Sequence, residues 1–115
     1  MLIRNATKKK IIVDNASLCN DIFSKFIGLM LSKKNKKKAL ILKFAGERII
    51  SLHMLFVFYP IDVLFLDKNK IVVDKKENFK PFRFYKSRKR AMYAVELPRG
   101  TIKKTKTETG DRISF

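Results

Sequence analysis

From Ser17 onward the apolar residues Leu18, Ile22, Phe23, Phe26, Ile27, Leu29 and Met30 recur at steps of three and four, the spacing that lines one face of a helix. Asp14-Asn15-Ala16-Ser17 supplies helix-start chemistry just ahead of them. Asp21 and Lys25 stand in the order that suits both the helix dipole and an i,i+4 pair. The pattern predicts one main helix over about residues 17–31. Elsewhere the apolar residues alternate or run together in short blocks. Leu2–Thr7 and Lys10–Val13 read as short strands paired around the lysines at 8–10, residues 39–44 as a strand ending in a turn at 45–47, and residues 49–58 as another. Ile61–Leu66 is apolar on both faces but for Asp62, which makes it a central strand. Asp67-Lys68-Asn69-Lys70 reads as a hairpin turn with Asn69 in the left-handed position, and Ile71–Asp74 as the returning strand. Residues 77–90 read as irregular and 91–97 as a strand. Pro98–Thr109 is expected to hold a helical turn closed by Gly110, before a terminal strand at 112–115. Strands dominate and local hairpins imply mostly antiparallel pairing, so the class is α+β.

Length and composition narrow the reading. A chain of 115 residues with 46% hydrophobic content can bury roughly two-thirds of its unfolded surface and is not of the disordered class. No repeat or linker divides it, so residues 1–115 are expected to form a single domain. The one cysteine, Cys19, cannot form an internal disulfide and is expected to be a buried, inert thiol. The short, mixed opening Met1–Thr7 is not expected to act as an export signal. The most apolar window, Leu52–Leu66, is interrupted by His53, Pro60 and Asp62, whereas a membrane helix needs about 20 apolar residues. A cytoplasmic location without membrane contact is therefore expected, as a monomer or weak homodimer.

Several short motifs occur in a telling order: Gly28-Leu29-Met30, His53-Met54, Pro60-Ile61-Asp62-Val63-Leu64-Phe65-Leu66-Asp67, Val95-Glu96-Leu97-Pro98 with Gly100, and Gly110-Asp111. In this order and spacing the chain resembles the domain of unknown function 192 family, also called uncharacterised protein family 0127, over about residues 10–115. The resemblance implies a compact, mostly antiparallel, barrel-like sheet with one main helix. It brings no catalytic residues and no cofactor. Many relatives carry Trp-Met where this chain has His53-Met54, so an aromatic surface at that strand is not carried over.

Four polar residues sit in apolar surroundings: His53, Asp62, Glu96 and Asp111. Buried carboxylates must be paired, hydrogen-bonded or protonated, so each has a structural role open to it. The functional alternative is a barrel-mouth cleft lined by His53, Met54, Asp62, Glu96 and Asp111, suited to a small ligand, a peptide or hydrolytic chemistry. Spacing does not favour catalysis or a metal: there is no HxxxH, no CxxC and no serine in a nucleophile elbow.

The charge is the strongest feature. With 27 basic and 10 acidic residues the formal net charge is +17, a field that attracts polyanions. Lysines cluster at 8–10, at Lys33, Lys34, Lys36, Lys37 and Lys38, and at 103–106. The segment Phe82-Arg83-Phe84-Tyr85-Lys86-Ser87-Arg88-Lys89-Arg90 interleaves cations with aromatics. Phe82 and Phe84 are expected to cover the sheet while Arg83, Lys86, Arg88, Lys89 and Arg90 face water. The leading functional reading is a non-enzymatic module that binds RNA, DNA or another polyanion by its backbone, with these lysines and arginines as phosphate contacts. A purely structural or partner-binding domain is the third reading.

Overall fold

The computed structural model describes residues 1–19, 39–53 and 59–115, with the side chains of Cys19 and His53 outside that description. Strands β1 (Ile3–Asn5) and β2 (Lys10–Val13) form the expected N-terminal hairpin, and β10 (Ile113–Ser114) pairs with the other edge of β1. A five-stranded sheet holds β3 (Ala16–Cys19), β4 (Ala39–Arg48), β9 (Ala91–Pro98), β6 (Ile61–Leu66) and β7 (Val72–Phe79), in that order. A separate ribbon pairs β5 (Ser51–His53) with β8 (Phe84–Lys86). Pairing is antiparallel throughout the described residues except between β3 and β4, which run parallel. The described strands thus form three sheets, of three, five and two strands, with no closed barrel among them.

Ile61–Leu66 is the central strand that its sequence predicts, flanked by β9 and β7, with all six residues buried. Its alternation sorts the core into two layers. Leu64 and Leu66 join Ile41, Val95, Leu97, Ile3 and Ile102 on one face. Ile61, Val63 and Phe65 join Leu42, Ala94, Phe79 and Leu52 on the other. The N-terminal hairpin and the helix α1 (Thr101–Thr105) cover the first face; the β5–β8 ribbon covers the second.

The expected helix over 17–31 is corrected at its start. Ser17–Cys19 belong to β3, in register with Leu40–Leu42, and residues 20–31 lie outside the described residues. Asp14 and Asn15 offer capping chemistry, but buried Ala16 and the backbone partners along β4 outweigh it. The turn placed at 45–47 is also corrected: β4 runs on to Arg48, with its register against β9 shifting between Lys43 and Arg48. In the β6–β7 connection the left-handed residue is Lys70, at φ 63, and not Asn69. Asp67 explains this, since its Oδ1 accepts the amides of Asn69 and Ile71 at 2.8 and 3.0 Å and fixes the turn from its first residue. Strand β7 outruns its expected end at Asp74, and β8 lies within the segment read as irregular.

Helix α1 lacks a side-chain cap of its own, because its N-cap is Gly100, at φ 88. Asp62 supplies one from β6: its Oδ2 accepts the Ile102 amide at 3.0 Å. Its Oδ1 accepts the Asn78 amide at 3.0 Å, where β7 carries an extra residue opposite β6 and Asn78 sits at φ 51. One buried carboxylate therefore satisfies a helix start and a bulge. Replacing Asp62 by Ala is expected to destabilise the protein by about 1–3 kcal/mol, since one buried amide and one half-buried amide lose their acceptor. Chemical denaturation measures the loss, and faster amide exchange at Ile102 and Asn78 locates it.

Candidate functional site

The two carboxylates expected to share a cleft lie on opposite faces of the central sheet. Asp62 is paired with Leu97, and both belong to the face covered by α1. Glu96 is paired with Leu40 on one side and Val63 on the other, and so faces the second layer. A sheet one residue thick separates them, so they cannot act on one ligand atom. Asp111 stands elsewhere again, on the N-terminal hairpin: its Oδ2 accepts Asn5 Nδ2 at 2.9 Å, Lys8 Nζ at 2.9 Å and the Glu108 amide at 3.0 Å. Burial opposes its charge, but the donors from Asn5, Lys8 and Glu108 outweigh it and hold the carboxyl below its ordinary value. Only the backbone of His53 can be placed, opposite Phe84 in the ribbon. Met54 lies outside the described residues. No group of three or more His, Cys, Asp or Glu side chains suited to a metal occurs among the described residues.

Glu96 is the exception among the buried acids. Neither carboxyl oxygen has a hydrogen-bond partner among the described residues, and burial alone pushes its pKa well up. Burial in this apolar layer thus shifts the carboxyl toward its neutral form.

Sequence reasoning passed over Asp74, which organises the basic segment. Asp74 is 1% exposed, yet its carboxylate receives five donors. Oδ1 accepts Arg88 Nε and Nη2 at 3.0 and 2.7 Å and the Lys75 amide at 2.8 Å. Oδ2 accepts the Tyr85 hydroxyl at 2.7 Å and the Arg88 amide at 2.9 Å. Burial would raise this carboxyl, but the Arg88 and Tyr85 donors prevail and hold it below the ordinary 3.8. Its only sequence signal was an acid within a strand whose neighbours are apolar and basic, too common a pattern to single out.

Asp74 decides which way β8 faces. The Tyr85 hydroxyl reaches it while the ring packs on Phe65 and Phe79, at centroid distances of 5.7 and 6.3 Å. Strand alternation then turns Phe84 and Lys86 outward. Phe82 and Phe84, expected to cover the sheet, are instead each 62% exposed. Ser87 bolts the far end: its hydroxyl accepts the Ile50 amide at 2.9 Å and donates to Lys89 O at 2.8 Å, while its own amide donates to Ile50 O at 2.8 Å. Arg88, expected as a phosphate contact, has its charge offset by Asp74. Arg83, Lys86, Lys89 and Arg90 are exposed and make no ion pair among the described residues.

The other basic clusters contribute less that can be placed. Lys33, Lys34, Lys36, Lys37 and Lys38 lie outside the described residues. Lys103 and Lys106 line an open groove of about 470 Å³ with Lys75, but Glu77 and Glu108 share its walls, and Lys75 pairs with Glu77 at 3.8 Å. Mixed signs give no directed field there. No helix among the described residues is long and apolar enough to cross a membrane.

A strongly basic domain of two apolar layers about a mixed sheet, with no convergent catalytic group among the described residues, is the class the geometry defines. The chain belongs to the family DUF192, described as "Uncharacterized ACR", whose model matches residues 3–115. It is similar to the UPF0127 protein of Pyrococcus furiosus, at 38% identity over 96% of this chain and 95% of that one. A UPF0127 protein of Thermococcus sibiricus is 38% identical over all of this chain and 74% of its own length. A crystal structure of a protein of unknown function from Novosphingobium aromaticivorans shares the fold at a TM-score of 0.84 and 14% identity, covering 99% of this chain and 82% of that one.

Asp74 and Glu96 predict opposite pH responses. Asp74 is more acidic folded than unfolded, so its contribution is present above the ordinary 3.8 and fades as pH falls through the folded value. Asp74→Asn is therefore expected to lower stability at neutral pH by about 2–3 kcal/mol, with the gap closing in acid. Glu96 is less acidic folded, so its penalty begins above the ordinary 4.5 and grows as pH rises toward the folded value. Glu96→Met is expected to stabilise by about 1–3 kcal/mol at neutral pH, the gain widening with pH. Denaturant titrations from acid to mildly alkaline pH check both. Parallel curves for wild type and Glu96→Met would show the carboxyl to be paired in solution.

Proposed function

We propose that the protein binds polyanions, RNA or DNA, through the cationic surface of residues 82–90, reading backbone and not sequence. The observation that carries this reading is the exposure of Arg83, Lys86, Lys89 and Arg90 without a carboxylate partner among the described residues. They sit on a segment whose inner side is fixed by Asp74, Tyr85 and Ser87. A fixed cation loses less freedom on meeting a phosphate than one on a mobile tail. The chain's net charge of +17 adds long-range attraction.

Four phosphate contacts imply a log–log salt slope of about −3 on single strands, or roughly a 50-fold loss of affinity from ~50 to ~200 mM salt. Mobility-shift titrations with RNA and DNA across that range test it. Arg83→Ser with Lys86→Ser is expected to weaken binding and flatten the slope by about 1.4. Negligible affinity for both nucleic acids at low salt would sink the reading and leave the charge as a matter of composition.

A further inference from the structure

We infer that the nucleic acid held by residues 82–90 is a single strand that turns the outer edge of β7 and runs on to the lysines of α1. This rests on the polyanion reading above and narrows it to one form of nucleic acid and one path. Strand β7 is the last of the five-stranded sheet, with α1 over one face of that sheet and the β5–β8 ribbon over the other. Lys75 and Lys76 are consecutive on β7, so their side chains leave on opposite faces. Lys75 lines the groove beside α1 together with Lys103 and Lys106. The Lys76 ammonium stands 5.5 Å from the centroid of the Tyr85 ring, on the side of the ribbon. Two basic areas on opposite faces of the sheet therefore meet at one edge.

The groove beside α1 has mixed signs, but its acids are already engaged. Glu77 pairs with Lys75 at 3.8 Å and Glu108 with Lys8 at 3.1 Å. Lys103 and Lys106 are exposed and make no ion pair among the described residues. Lys106 is carried on held backbone. It caps α1 at φ 56, its amide donates to Lys103 O at 3.2 Å, and the next amide, of Thr107, donates to Ile102 O at 3.1 Å. A path from Arg83 and Lys86 past Lys76 to these two lysines must change direction within a molecule whose longest extent is 33 Å. Duplex DNA keeps its direction over about 50 nm, so it lies along one face or the other. A single strand bends between nucleotides and tracks a charged surface. Backbone contacts of this kind do not depend on the sugar, so RNA and DNA single strands both qualify.

Fluorescence anisotropy with labelled oligo(U) and oligo(dT) of about 4 and about 16 nucleotides, and with a duplex of the greater length, tests the path. Lys76, Lys103 and Lys106 add three phosphate contacts for a strand long enough to reach them. The longer strands are therefore expected to show a log–log salt slope of about −5, and the shorter ones a slope no steeper than about −3. Lys103→Gln with Lys106→Asn removes two charges while keeping residues suited to a helix and to a left-handed backbone. It is expected to weaken the longer strands by about 10–30-fold at ~0.1 M salt and to flatten their slope by about 1.4. Affinity for the shorter strands and for the duplex should not change, and the retained short-strand binding shows that the variant is folded. If the variant binds the longer strands as the wild type does, the path around β7 is wrong while the polyanion reading stands. An equal loss on the duplex would overturn the restriction to single strands. No binding to any probe would remove both readings.

Discussion

Strand β6 meets water on neither face, and that constraint reaches most of the described structure. A sheet covered on both sides leaves the polar side chains of its inner strands only other protein groups as partners. Asp62 finds the amides of Ile102 and Asn78, and so ties the central strand to α1 above it and to the β7 bulge beside it. Asp74, one strand further out, finds Arg88 and Tyr85. Glu96 finds no partner among the described residues, and its burial favours the neutral form of the carboxyl.

The same constraint sorts the charges. Three buried acids are spent on internal work, each fastening a separate part of the chain to the sheet. Asp111, through Asn5 and Lys8, joins the C-terminal segment to the N-terminal hairpin, and Thr105 and Thr107 extend that network at 2.7 Å between their hydroxyls. Asp74 and Asp111 each offset one cation, Arg88 and Lys8, and Asp62 is spent on backbone amides, so these acids leave the remaining surface lysines and arginines unscreened. A chain with 27 basic and 10 acidic residues that buries part of its acid becomes more cationic outside than its composition suggests. Segment 82–90 is where that surplus meets exposed aromatic rings on a fixed strand.

Much of the strand layout was legible because period-two alternation and turn residues are local signals. Ile61–Leu66 could be read as central from its two apolar faces, and Gly110, expected to close a helical turn, stands at φ 97. The start of the expected helix was not legible, because Ser17–Cys19 follow β4 by backbone pairing with residues more than twenty positions away. The family resemblance was legible from ordered short motifs and holds over residues 3–115. The candidate cleft was less so. Asp62 and Glu96 both look like acids within apolar strands, and only the register of β6 against β9 puts a sheet between them.

The sequence by itself determined the class, the central strand, the positions of the turns that need glycine and the excess of positive charge. Those depend on residue type and on spacing along the chain. Tertiary structure alone decided which acids are paired, that Asp74 reaches across to Arg88 and Tyr85, and that Phe82 and Phe84 face outward while Tyr85 turns in. The physical reason is that an aromatic's choice of face depends on what waits beneath it. Here that is a buried carboxylate within 2.7 Å of a hydroxyl, which phenylalanine does not have.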